Sequence, residues 1–100
     1  MKIVQIIPKV AARKSLKSLL KDTERRLRKE RGDKVAFHRS KEGCWKHFTY
    51  PGEIRWDEAA GGMIVAEIVG SKDSQLLQAF VGYLDRHLGD SIGSISIWNI

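Results

Sequence analysis

Four groups of side chains in this sequence are spaced so that they could do chemistry: a run of cations, aromatics beside histidines, one cysteine, and two adjacent acids. The cations dominate. Between Lys9 and Arg31, ten basic residues face only Asp22, Glu24 and Glu30. At about 100° per residue, Lys17, Lys21, Arg25 and Arg28 fall within about 90° of Lys14 on a helical wheel, while Leu16, Leu19, Leu20 and Leu27 fall on the far side. The five cations are therefore expected to form one ridge pointing away from the core. Rising by roughly 5 Å per turn, such a ridge can follow a phosphate backbone and release its counterions. Like charges at i and i+4 cost a few tenths of a kcal/mol, so Lys17, Lys21 and Arg25 in succession are a small burden on a helix. A merely solvated helix also has a polar outer face, and the scarcity of acids on this ridge is what sets it apart.

The aromatic group lies around a turn at Lys41-Glu42-Gly43. If that turn pairs Arg39 with Cys44, then Phe37 faces Lys46 and His38 faces Trp45, and His38, Trp45 and His47 share one side of a hairpin. Val35, Phe37, Cys44, Phe48 and Tyr50 would take the other, core-like side. An exposed Trp45 and His47 could then stack on unpaired bases. RNA-recognition domains use such a surface, but the run Glu42 to Phe48 departs from their signature by placing Cys44 where an aromatic follows the glycine. Trp45, Trp56 and Trp98 could equally cover the sheet or fill a dimer contact.

The remaining groups are weaker. Cys44 and His47 have C-x-x-H spacing, but no second Cys/His pair completes a zinc site, and an odd offset on a strand sends the two to opposite faces. No metal or other cofactor is expected. Asp57 and Glu58 precede a flexible Ala-Ala-Gly-Gly stretch without a positioned base or nucleophile beside them. No catalytic residue is assigned. His87 falls near the end of a helix, where a cation would suit the helix dipole.

The elements that must position these groups can be read from periodicity. Met1 to Ile7 is expected to be a strand stopped by Pro8, and about Ala11 to Arg31 a helix with Ala12, Leu16, Leu19, Leu20, Thr23 and Leu27 inward, stopped by Gly32. Short strands are expected at about 35–39, 44–50, 53–57 and 63–69. Ser71 or Asp73 caps a second helix that runs to Leu88 and Gly89, with Leu76, Leu77, Phe80, Val81, Leu84 and Leu88 inward. Ile95 and Ile97 then alternate with serines in a last strand. An even number of strands between the helices leaves both on one face of a single antiparallel sheet. This element order resembles the split βαβ, or ferredoxin-like, arrangement: an α+β, βαββαβ two-layer sandwich, with an extra hairpin allowed between the helices. The resemblance is to a fold and carries no function with it.

Composition bounds the rest. One hundred residues suffice for a single domain, 1–100, with one core. Residues 1–50 carry a balance of +10 and residues 51–100 one of −4, within a net +6. No apolar run approaches the roughly 20 residues of a membrane span, and a single cysteine cannot form an internal disulfide. The expectation is a cytoplasmic binding module without chemistry of its own, meeting nucleic acid (RNA or DNA) or another polyanion through Lys14, Lys17, Lys21, Arg25 and Arg28, with Trp45 and His47 stacking. The alternative is an interaction or regulatory module that forms a homodimer through its sheet.

Overall fold

Val4 and Ile6 alternate with wetter neighbours, which sets the first strand. In the computed structural model, which describes residues 1–10 and 13–100, β1 spans Lys2–Pro8 and ends at the proline expected to stop it. The first helix leads to β2 (Phe37–Lys41), β3 (Cys44–His47), β4 (Glu53–Glu58) and β5 (Ile64–Val69); the second leads to β6 (Ile92–Asn99). The six strands make one open antiparallel sheet in the order β2-β3-β4-β5-β1-β6. The fold is thus α+β with four strands between the helices. Its order differs from a simple ferredoxin-like sheet because β2 and β3 stand outside β4 at one edge.

The helices are α1 (Leu16–Arg31) and α2 (Asp73–Leu88). α1 starts later than the periodicity suggests because Ser15 caps it. The Ser15 backbone is extended and its side chain accepts the Ser18 N–H at 3.1 Å. Lys14 is therefore outside the helix, and the expected first residues at Ala11 and Ala12 lie outside the described ones. Gly32, at φ 58°, closes α1 with its N–H donated to the Arg28 carbonyl. At α2, neither Ser71 nor Asp73 is the cap: Lys72 holds that position without a side-chain bond.

Both helices lie over the same side of the sheet. Register puts Val4 opposite Ala66, Ile6 opposite Ile64 and Ile54 opposite Ile68, so these side chains share one face. They join Leu16, Leu20 and Leu27 of α1 and Leu76, Phe80, Leu84 and Leu88 of α2 in one apolar cluster. Gln5, Arg55, Asp57 and Glu67 lie on the other face. Where β4 begins and β5 ends, Gly52 at φ 110° lies so close to the chain that a Cβ would sit 2.2 Å from the Val69 carbonyl oxygen. Among the described residues, no helix is long and apolar enough to cross a membrane.

Candidate anion-binding cleft

The hairpin that carries the aromatics is built one residue out of the expected register. Glu42 and Gly43 alone make its turn, with Gly43 at φ 71°, and a bulge follows Arg39, so Phe37 faces His47, His38 faces Lys46 and Arg39 faces Trp45. A slip of one residue exchanges the faces of a strand. Trp45 is consequently 1% exposed, packed edge-on against Trp56, Phe80 and Tyr83, and cannot stack on a base. His38 turns to the opposite face. His47 is half-buried, its ring packed at 4.9, 5.0 and 4.8 Å from those of Phe37, Phe48 and Tyr50. Its Nδ1 accepts the N–H groups of Thr49 and Tyr50 at 3.0 and 3.3 Å. Burial, helped by His38, holds its pKa below the ordinary value and keeps the acceptor lone pair available. His47 is thus built into the chain reversal after β3, away from the cations.

Nor do the α1 cations stand as a free rod. Lys14 and Arg25 share Asp22 at 3.4 and 3.8 Å, Lys21 lies 3.3 Å from Glu42 of the hairpin turn, and Arg28 lies 3.6 Å from Glu24. Lys17, half-buried one turn before Lys21, makes no such pair among the described residues. The ridge also does not oppose the core. Glu24 is buried beside Leu16, Leu20, Thr23 and Leu27, which brings the inward stripe round to the edge of the cations.

That sideways placement makes a cleft of about 90 Å³ between α1 and the outer strands. Lys21, Glu24, Arg25 and Arg28 line it from α1; Arg39, Glu42, Gly43 and Trp45 line it from the hairpin, with Trp56 from β4. Gly43 allows the turn to close onto β4: a Cβ there would lie 2.9 Å from the Trp56 carbonyl oxygen, while the Trp56 N–H donates to the Gly43 carbonyl at 2.8 Å. Glu24 ties helix to hairpin, its Oε1 accepting the Arg39 backbone N–H at 3.3 Å. The indole Nε1 of Trp56 is buried without a partner. Arg28 and Arg39 also line a neighbouring hollow of about 390 Å³ with Val35, His38 and Phe48, whose side chain is largely exposed.

The structure therefore gathers Lys21, Arg25, Arg28 and Trp45 at one place and leaves Lys14, Lys17 and His47 outside it. Sequence reading missed Glu24, Arg39, Trp56 and Phe48. Glu24 carried a signal, because it follows Leu20 by four residues and precedes Leu27 by three, at the border between the leucines and the cations on the wheel. Arg39 and Phe48 depend on the hairpin register, and Trp56 on the turn that closes onto β4.

Cys44 is buried and donates to Glu53 Oε2 at 3.0 Å; burial pushes the thiol up, Ser40 pulls it down and Glu53 adds to the rise. A raised thiol is a poor nucleophile at neutral pH. Asp57 and Glu58 are exposed at the end of β4, where Asp57 Oδ1 accepts the Glu58 N–H at 2.8 Å. Among the described residues, no three His, Cys, Asp or Glu side chains are grouped to hold a metal. His87 is held below its ordinary pKa by burial first and then by Arg26, Arg86 and Arg31, so the neutral ring rather than a dipole-matching cation is favoured at the end of α2. In comparisons with family models, curated proteins and solved structures, nothing matches the chain.

Proposed function

We propose that the protein is a binding module for single-stranded nucleic acid, whose backbone crosses the flank of α1 and whose bases reach the exposed ring of Phe48. The observation that carries this reading is the sharing of Arg28 and Arg39 between two adjoining depressions, one lined by cations and one by Phe48. Phosphate-binding cations interleaved with an open aromatic surface are the means by which single strands are held without base specificity. The ion pairs on α1 do not oppose it. Lys14 and Arg25 remain mostly exposed, and pairs of that kind contribute about 0–1 kcal/mol, so a phosphate can replace the carboxylate. We read β4-β5-β1-β6 with the two helices as the four-stranded ferredoxin-like set, and β2–β3 as an addition that supplies one side of the site.

The test is retention of a labelled oligonucleotide at low salt. Reversing Lys21, Arg25 and Arg28 to Glu abolishes it, and Phe48→Ala weakens it by about 1–3 kcal/mol, the usual worth of one stacked base. Unchanged binding in the triple reversal refutes the reading.

A second reading is favoured by β6. It is an edge strand of eight residues without a charged side chain, and Ile97, Trp98 and Ile100 at and beyond its end are exposed. Natural edges usually carry charges that prevent pairing. Two copies could join β6 to β6 in one antiparallel sheet. Light scattering that gives twice the chain mass, reduced to one by Ile97→Lys, supports a homodimer; a monomer at all concentrations excludes it.

A further inference from the structure

We propose that the cleft between α1 and the β2–β3 hairpin is a seat for the terminal phosphate of a 5′-phosphorylated nucleotide, at the end of the strand the module binds. The proposal rests on the nucleic-acid reading and adds to it where a strand begins. Three features of the cleft favour a chain end over an internal phosphate.

The first is size. At about 90 Å³ the cleft has room for roughly three waters, comparable to one phosphate group. The second is the neighbour. The hollow beyond Arg28 and Arg39 is about 390 Å³, in the range of small-ligand sites, and offers His38 and Phe48 to a sugar and base. A nucleotide with its phosphate in the small cleft and its nucleoside in the larger hollow would keep both arginines between them. The third is the donor set. Lys21, Arg25, Arg28 and Arg39 bring four cations against the carboxylates of Glu24 and Glu42. Glu24 is already answered by Arg28 and by the Arg39 backbone N–H, and Glu42 is highly exposed on a turn from which it can swing aside. The excess charge suits a monoester, which carries about −1.5 to −2 at neutral pH where an internal diester carries a single charge.

Trp45 and Trp56 both line the cleft, so intrinsic fluorescence reports directly on its filling. The experiment titrates the full chain with one short single-stranded oligonucleotide bearing either a 5′-phosphate or a 5′-hydroxyl, and separately with a nucleoside 5′-monophosphate and with inorganic phosphate. The 5′-phosphorylated strand is expected to bind about tenfold more tightly, the scale of one charge-assisted contact set. Arg39→Ala, a change at an exposed side chain, should bring the ratio of the two affinities close to one. Equal affinities in the wild-type chain overturn the terminal-phosphate seat while leaving the strand reading intact. A fluorescence response to the monophosphate with no binding of either strand does the reverse: the seat stands and its ligand is the free nucleotide. No response to any of the four overturns the seat.

Discussion

α1 and α2 have the same length and lie on the same face of the sheet, yet they bury different chemistry. The inward residues of α2 are Leu76, Phe80, Tyr83, Leu84 and Leu88; those of α1 are Leu16, Leu20, Thr23, Glu24 and Leu27. One helix is seated by apolar packing, the other partly by a carboxylate that fastens it to the β2 backbone and to Arg28. A buried ion pair is often no more stabilising than the apolar side chains that could replace it. α2 thus gives all its buried positions to apolar and aromatic side chains, while α1 gives two of its own to Thr23 and Glu24 beside a cleft lined with charges.

Substitutions can break or sharpen that contrast. The largest effect is expected at Trp45, which the structure places in the core with Phe80 and Tyr83 of α2. Trp45→Ala should lower unfolding free energy by about 3–5 kcal/mol in a urea titration; a loss under about 0.5 kcal/mol would mean a surface tryptophan. Next is Glu24→Gln, which weakens the tie to β2 and removes a negative charge from the cleft. It should destabilise by about 1–3 kcal/mol, as removal of a buried charged hydrogen-bond partner does, yet tighten binding of an anionic strand. Loss of both stability and affinity would make Glu24 a plain structural residue. A smaller effect follows from pH. The folded pKa values of His47 and His87 lie below 6.5, so on acidification the unfolded chain takes up these protons first. Their contribution is complete above about pH 6.5 and is lost as pH falls through the folded values. His47→Gln should therefore flatten the decline in stability between neutral and mildly acid pH. The smallest change is expected for Arg26→Ala, which breaks the exposed pair with Glu30 at 3.7 Å and should shift stability by no more than about 0.5 kcal/mol.

The sequence made the elements legible because periodicity records burial. The switch from period two at Val4 and Ile6 to the helical spacing of Leu16, Leu20 and Leu27, and the stops at Pro8, Gly32 and Gly89, all reappear in the structure. The edges of elements were harder. Periodicity alone puts the start of the first helix at about Ala11, whereas Ser15, whose side chain accepts the Ser18 N–H, caps α1 at Leu16. The site was read only in part, for the same reason the hairpin was misread: side-chain facing depends on whether two residues or three make a turn, and the bulge after Arg39 moves Trp45 inward and Arg39 toward α1. A helical wheel likewise supplies relative angles on α1 but not the direction of the core, which the burial of Glu24 reveals.

The most direct test of the cationic cleft is the salt dependence of binding to a short single-stranded oligonucleotide. With three or four phosphates neutralised by cations along the flank of α1, log K should fall against log salt with a slope of about −2 to −3. Reversal of Lys21 and Arg25 to Glu should flatten that slope as affinity drops. A wild-type slope near zero, or one unaltered by the reversal, would contradict a phosphate path along α1.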